Sequence, residues 1–347
     1  MDAITGWDIG GAHLKAVRVE DGVVTQAVQL PCPLWLGLDQ LEAAFAKAVR
    51  RIGGSARHAV TMTGELADIF PSRAEGVRSL ARIAADCLGA GDLKVYAGPE
   101  GFLGGGDLAD HVASIASANW HASARWATRA LRHGLFVDMG STTTDLIPLS
   151  DGKVAARGYS DCERLAVGEL VYTGMVRSFV MSVASRVPCG GRWMPLMNEY
   201  FANMADVYRI LGDLPAGADQ QTTPDGRAKT VAASRVRLAR MLGMDAGDAA
   251  DAAWTEAALS FREAQLRMLH DAAMLVLSGR PLPAQAPIIG AGVGARIVRR
   301  LAGRLGRPYV AFSRLIEAAS PALRRRASDC APAAAVALIA QASPGTG

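Results

Sequence analysis

The chain has 347 residues, half of them hydrophobic, and a formal net charge of +4, which gives core material for two domains or one large bilobal unit. Its densest basic cluster, Arg324-Arg325-Arg326, reads as a solvated helix face, so nucleic acid is a poor first partner. No apolar run approaches the ~20 residues of a membrane span, Asp2 and Asp8 interrupt any signal peptide, and five scattered cysteines without CxxC spacing fit reduced thiols in a cytoplasm.

Strands are predicted at 4–9, 14–19 and 23–29, with Asp21-Gly22 as the hairpin turn between the last two. A helix over 38–51 puts Leu41, Phe45 and Val49 on one face. Strand 59–62 runs into Thr63-Gly64-Glu65-Leu66, so Glu65 and Asp68 follow a strand end, where open α/β sheets place ligand sites. A first-turn carboxylate facing a helix dipole accounts for Glu65 equally well. Helix 76–88, strand 94–97 and a glycine-rich loop over 98–106 come next. One helix is predicted over 111–133, carrying Ala116-Ser117-Ala118-Asn119-Trp120-His121. Its small residues allow tight packing, and it offers Asn119 and His121 to a ligand, although a lone helical histidine is more often exposed or satisfied.

A second strand-rich start at Leu135 divides the chain into two α/β halves, 1–133 and 134–347. The second half holds a mainly helical insertion over 180–282, with helices at 198–211, 231–242 and 261–278. It closes with a glycine loop after 287, a helical stretch over 296–305, a strand-like stretch over 308–312 and a helix over 331–341.

The chemistry concentrates in three loops. In 135–149, an apolar run enters Asp138-Met139-Gly140-Ser141-Thr142-Thr143-Thr144-Asp145 and a second apolar run leaves it, a strand–turn–strand pattern. Gly140 allows close approach to the backbone. The hydroxyls of Ser141, Thr142, Thr143 and Thr144 and the N–H groups of the turn suit phosphate oxygens. Asp138 and Asp145 flank the turn, well placed for a divalent cation, directly or through water. A Ser/Thr-rich hairpin with solvated carboxylates is the plain alternative. Near the N-terminus the pattern recurs: Asp8 follows a strand, Gly10-Gly11 turns, and Lys15 on the returning strand is suited to neutralise a phosphate. Far downstream, Gly290, Gly292 and Gly294 link a strand to a helix, a turn that suits a diphosphate or nucleotide but that ordinary close packing also explains. Between the later helices, Asp225-Gly226-Arg227-Ala228-Lys229-Thr230 sets two cations before a helix start, either a dock for an anionic group or a solvated surface turn.

The three loops in this order resemble the actin, sugar-kinase and heat-shock-chaperone superfamily. That resemblance implies two ribonuclease-H-like halves facing a cleft, the actin-like ATPase fold, with a helical insertion in the second half. The loops look most like those of the hydantoinase A/oxoprolinase branch. Thr61-Met62-Thr63-Gly64-Glu65-Leu66, Ala116 to Trp120, Gly168-Glu169-Leu170-Val171-Tyr172-Thr173-Gly174 and Asp225 to Thr230 extend the likeness to tetrahydromethanopterin-linked one-carbon transfer proteins with a hydantoinase/oxoprolinase-like fold, over nearly the whole chain. Archaeal members implied by this likeness work in methanofuran biosynthesis. They join an aminomethylfuran diphosphate to the phenol of γ-glutamyltyramine and release diphosphate; a bacterial product would be methylofuran, with a phenol drawn from tyrosine.

The likeness implies a transferase acting on small-molecule diphosphate and phenolic substrates, with Mg²⁺ as cofactor and ATP not favoured. It implies Asp8 and Asp138 at the metal, and Glu65, Asp145 and Lys229 as catalytic candidates. Asp8, Gly10, Gly11, Lys15, the turn from Gly140 to Thr144, Arg227 and the three downstream glycines would serve the phosphates and anionic groups. The first loop departs from its relatives, because His13 and Leu14 stand where small polar residues are usual. An ATP-dependent kinase or amidohydrolase and a non-enzymatic actin-like scaffold remain the rival classes, and a homo-oligomer stays open.

Overall fold

The computed structural model describes residues 3–89, 91–104 and 106–343. The first stretch holds β1 (Ala3–Ile9), β2 (His13–Glu20), β3 (Val23–Pro31), α1 (Asp39–Ile52), β4 (Arg57–Met62), α2 (Arg73–Leu88), β5 (Leu93–Tyr96) and β6 (Phe102–Leu103). Then come α3 (Val112–Ile115), α4 (Asn119–Thr128), β7 (Gly134–Met139), β8 (Thr144–Ser150), β9 (Lys153–Val154), α5 (Asp161–Ala166) and β10 (Leu170–Val171). The middle holds α6 (Val180–Val183), β11 (Arg186–Cys189), β12 (Arg192–Pro195), α7 (Met204–Ile210), α8 (Val231–Met241) and α9 (Asp251–Gly279). The chain ends with β13 (Ile288–Ala291), α10 (Ala295–Arg304), β14 (Tyr309–Ala311), α11 (Pro321–Asp329) and α12 (Ala331–Ala342).

Two compact units divide the chain. Met1–Phe136, Ile147–Arg164 and Val310–Gly347 form the first, and Val137–Leu146 with Leu165–Tyr309 form the second. This differs from a simple division after residue 133. Residues 147–164 and 310–347 return to the first unit, and α11 and α12 pack on its strands.

The first unit is built on a six-stranded sheet in the order β3-β2-β1-β4-β5-β6. Strands β1, β4 and β5 run parallel, and the flanking pairs are antiparallel. Successive side chains of β1 point to opposite faces. Trp7, fully buried, meets Phe45 of α1 at 5.1 Å between ring centroids. Gly6, next to it, faces α12. A Cβ on Gly6 would lie 2.0 Å from the Ala333 carbonyl oxygen and 2.9 Å from the Ala337 Cβ. The alanine-rich helix therefore rides directly on the strand backbone, and both partners need their smallest side chains for it.

The other main sheet runs β10-β8-β7-β13-β14, with β9 beside β8. Residues 180–282 hold α6, α7, α8 and α9 and also the β11–β12 hairpin. Helix α7 starts at Met204, later than the expected 198, because Asn203 and Asp206 form a reciprocal capping box there. Helix α9 runs for 29 residues and takes in the whole of the shorter helix expected at 261–278. The helix expected over 111–133 is two helices, α3 and α4, broken at Ala116-Ser117-Ala118. Ser117 has φ +53°, a left-handed conformation that no continuous helix accommodates. No helix among the described residues is long and apolar enough to cross a membrane, and all five cysteines are free thiols.

Candidate active site

In the first unit the parallel strands deliver polar groups to their C-terminal ends. Asp8 stands opposite Thr61 on β4 and opposite Lys15 on β2. The Lys15 ammonium is 3.4 Å from Asp8 Oδ2. Asn119 donates a further hydrogen bond to the Asp8 carboxylate. Asp8 is only 3% exposed, and burial raises its pKa in spite of Lys15 and Asn119. Its Oδ1 is buried with no partner, and so is the Thr61 hydroxyl. The turn after β1 is closed by Gly10 N–H donating to the His13 carbonyl at 3.0 Å. Gly11 faces open space. The two departures noted in this loop fall on β2: Leu14 is a core residue and His13 is buried, so the turn proper is Gly10-Gly11-Ala12.

Glu65 lies in a short 3-10 turn after β4 and is 1% exposed. Ser117 donates its hydroxyl to Glu65 Oε1 at 2.7 Å, while Oε2 is buried without a partner. Burial raises the Glu65 pKa, opposed by Ser117 and by the nearby charge of Arg73. The break between α3 and α4 thus has a purpose that the sequence pattern hid. Ser117 reaches Glu65 and Asn119 reaches Asp8, so one short link serves both carboxylates. His121 turns inward, with its Nδ1 2.8 Å from the Tyr96 hydroxyl. Burial and Arg125 push its pKa down to about 4, so it is neutral at pH 7. It braces the site and is not a proton donor near neutrality.

In the second unit, β7 and β8 enclose the turn from Asp138 to Asp145. Gly140 N–H donates to the Thr143 carbonyl at 2.9 Å. The Gly140 carbonyl accepts from Met175 at 2.9 Å, and the Ser141 carbonyl accepts from Val176 and Arg177 at 3.0 and 2.8 Å. Ser141, Thr142 and Thr143 remain partly exposed along the turn. Thr144 is different: it is fully buried and its hydroxyl donates to the Thr173 carbonyl at 2.7 Å, so that hydroxyl holds the turn in place and does not face a phosphate. Gln265 of α9 reaches Thr173 Oγ1 at 2.7 Å and the Gly174 carbonyl at 2.9 Å, fixing the segment behind the turn. Asp145 is on β8, paired with Leu170 of β10.

The downstream glycines pack on this turn's entry strand. Gly294 N–H donates to the Met139 carbonyl at 2.9 Å. Gly292 has φ +77°, and a Cβ there would be 2.2 Å from Asp138 Oδ1. A Cβ on Gly290 would strike the Tyr309 ring. Close packing against Tyr309, Asp138 and Met139 accounts for these glycines.

The 225–230 turn is anchored from behind. Arg237, fully buried, bonds Asp206 Oδ1 through Nη2 at 2.6 Å and through Nε at 2.9 Å, and Asp225 through Nη1 at 3.1 Å. Lys229 Nζ donates to Asp219 Oδ1 at 3.1 Å and to the Asp219 carbonyl at 2.9 Å. Arg227 is exposed.

Among the described residues, no group of three or more His, Cys, Asp or Glu side chains converges as a closed metal cage. Mg²⁺ suits what is there: it keeps several waters and binds through one or two carboxylates and substrate phosphates. The unpartnered Asp8 Oδ1, beside the unpartnered Thr61 hydroxyl, is an oxygen surface of that kind. Asp138 offers a second carboxylate in its own unit.

A model of the hydantoinase/oxoprolinase family matches residues 57–321. The chain belongs to that family. A relative from Methanocaldococcus jannaschii is 32% identical over 246 residues, 70% of this chain and 72% of the relative. It is named (4-{4-[2-(gamma-L-glutamylamino)ethyl]phenoxymethyl}furan-2-yl)methanamine synthase. A relative of the same name from Methanococcus vannielii is 35% identical over 111 residues, 32% of this chain and 50% of that one. Among solved structures, a nucleotide-free acetone carboxylase matches with a TM-score of 0.57 at 12% identity, over 95% of this chain and 70% of that one. That likeness concerns the fold alone. The α/β architecture in two units is the actin-like type implied by the loops.

Sequence reasoning passed over Ser117, Thr61 and Thr173 as individual residues. Ser117 and Thr61 lay inside stretches already singled out, but a helical reading of 111–133 concealed the left-handed turn that aims Ser117 at Glu65.

Proposed function

We propose that this family member is an aryl-ether-forming transferase of the methanofuran or methylofuran type. It would transfer an aminomethylfuranylmethyl group from its diphosphate to a phenol. The single observation that carries this is the 32% identity over 246 residues to a synthase whose named product contains a phenoxymethylfuran. The ether in that product disconnects most simply between the phenolic oxygen and the furan's methylene carbon. The carbon–oxygen bond to diphosphate breaks, the bond from phenolic oxygen to the same carbon forms, and the phenolic proton leaves to a base. The furan ring stabilises positive charge on the methylene carbon, so the departing diphosphate is the group most in need of help.

This chain's residues suit those tasks. Ser141, Thr142, Thr143 and the N–H groups of the turn would hold diphosphate oxygens, with Gly10, Gly11 and Lys15 as the corresponding set in the first unit. Asp8 in the first unit and Asp138 in the second are each a carboxylate suited to Mg²⁺, which when bound would offset negative charge on the leaving group. Glu65 is our preferred base. Its Oε2 is unpartnered, and Ser117 keeps the side chain aimed. Asp145 is the other carboxylate candidate. Arg227, exposed on an anchored turn beside Lys229, would grip the acidic end of the phenolic acceptor.

The test is incubation with the furan diphosphate and with tyramine, γ-glutamyltyramine and tyrosine in Mg²⁺ buffer, with mass detection of the ether. An ether with at least one of the three phenols is the expected result. No ether with any of them, with folded protein, would refute the reading.

A further inference from the structure

The first unit contains a cavity that neither Asp8 nor Glu65 lines. It opens at the opposite edge of the six-stranded sheet, where β4 and β5 begin. Arg57 opens β4, and Glu65 follows that strand's far end, about 20 Å away at ~3.3 Å per strand residue. The cavity encloses about 190 Å³.

Its lining is divided by character. Ile4 and Ile339, 3% and 5% exposed, form an apolar floor, and Phe102 adds a ring. Arg57, Lys94 and Arg125 bring three cations from β4, β5 and α4. Asp92 is the one carboxylate in the lining, and it is already committed to Arg57, with 3.0 Å between Arg57 Nε and Asp92 Oδ2. Arg125 reaches the Tyr96 hydroxyl. Lys94 forms no ion pair among the described residues. His58 adds no charge: it accepts from Trp7 Nε1 at 3.2 Å through Nδ1, and burial lowers its pKa. The lining therefore carries a net excess of two positive charges over an apolar floor.

These features select a ligand. A metal cation is repelled. A bare inorganic anion would leave the floor of isoleucine and phenylalanine side chains wet. The volume lies below the ~300–1,000 Å³ of pockets that take drug-sized molecules, so the occupant is small. We propose that this cavity binds a small organic acid, with a carboxylate or phosphate head against Lys94 and Arg57 and an apolar ring against Phe102, Ile4 and Ile339. The site is independent of the proposed transfer reaction.

The experiment is calorimetric titration of the full chain with phenyl phosphate, benzoate, inorganic phosphate and benzyl alcohol at low ionic strength. Phenyl phosphate and benzoate separate the two possible heads. Inorganic phosphate lacks the ring, and benzyl alcohol lacks the charge. We expect saturable binding of phenyl phosphate or benzoate, at least ten-fold tighter than either control. Lys94→Glu should weaken it at least ten-fold. Thr142→Ala, which alters the phosphate turn of the second unit, should leave it unchanged. If Lys94→Glu does not fold, Lys94→Gln removes the charge without reversing it and should weaken binding in the same direction. The proposal fails if neither organic acid saturates, if inorganic phosphate binds as tightly as phenyl phosphate, if removal of the Lys94 charge leaves affinity intact, or if Thr142→Ala abolishes binding.

Discussion

Ser117 donates a 2.7 Å hydrogen bond to Glu65 from a backbone held at φ +53°. A left-handed serine costs on the order of 1 kcal/mol, and the return is an aimed, buried carboxylate. The donor favours the charged form of Glu65, so its loss raises the Glu65 pKa further. If Glu65 is the base, Ser117→Ala and Ser117→Gly should both lower turnover by roughly ten-fold or more, as expected for a hydrogen bond to a charged group. Both should shift the acid limb of the rate–pH profile to higher pH. Ser117→Gly should be the more stable variant, because glycine adopts the left-handed backbone freely. Acid limbs that coincide with the wild type in both variants would remove Glu65 from the proton transfer.

Asp138 tests the metal-diphosphate assignment in the second unit. Its carboxylate ends β7 against Gly292, where a Cβ would come within 2.2 Å of Oδ1. Asp138→Asn keeps the shape and removes the charge. It should abolish Mg²⁺-dependent turnover and leave the urea unfolding midpoint close to that of the wild type. Near-normal activity in this variant takes Asp138 out of the mechanism.

Much of this was legible in the chain. The three glycine and aspartate loops, the strand–turn–strand at 135–149 and the alternation of elements announced the α/β fold, because short-range apolar runs and turn residues encode them. Other features depended on distant partners. Nothing near Thr144 in sequence says that its hydroxyl is spent on Thr173, 29 residues away. The return of α12 to β1 rests on Gly6 meeting Ala333 and Ala337, which no local period reveals. The break at Ser117 was hidden because the alanines around it read as helix formers, while its hydrogen-bond partner Glu65 lies 52 residues away.

The Asp206–Arg237 pair is a stability prediction. Both side chains are at most 1% exposed, and Asp206 Oδ1 also accepts from Ser234 at 2.7 Å and from Arg209 at 3.1 Å. Asp206→Asn leaves Arg237 buried without its main counter-charge, so it should cost about 3–5 kcal/mol. Urea unfolding measures it. The 225–230 turn should loosen with it, since Arg237 also holds Asp225. A loss under about 1 kcal/mol would mean that Asp225 alone compensates the guanidinium.

Asp329 gives a pH signature. Burial raises its pKa to about 6 from 3.8, against the pull of Lys15, Arg326 and Arg325. A carboxyl with a raised folded-state pKa contributes its stability below 3.8 and loses it as pH rises through about 6. Wild-type stability should therefore fall by about 1–3 kcal/mol from this group between those pH values, discounted for partial exposure. Asp329→Asn cannot ionise. Its stability relative to wild type should be greater at pH 7.5 than at pH 4.5, as read from urea unfolding at both. The same difference at both pH values would show that Asp329 titrates normally.

The last prediction concerns nucleotide. The fold is shared with an acetone carboxylase whose reaction is ATP-dependent, whereas the relatives are named as synthases of a compound that contains an aryl ether. Under the proposed function a furan diphosphate already carries its leaving group, and it would fill the Ser141–Thr143 turn itself. The Gly290–Gly294 loop then keeps the packing role seen against Met139 and Tyr309. In the proposed transfer, the free energy for the new ether would come from exchanging the carbon–oxygen bond to diphosphate for the bond to the phenol. Turnover should therefore proceed in nucleotide-free buffer, with diphosphate and ether appearing in equal amounts, and ATP should add nothing to the rate. Diphosphate in large excess over ether would mean hydrolysis, with water reaching the furfuryl carbon before the phenol. An absolute requirement for ATP, with ADP formed in step with product, would move this chain to a kinase or oxoprolinase-like reaction, with the glycine loop as its nucleotide site.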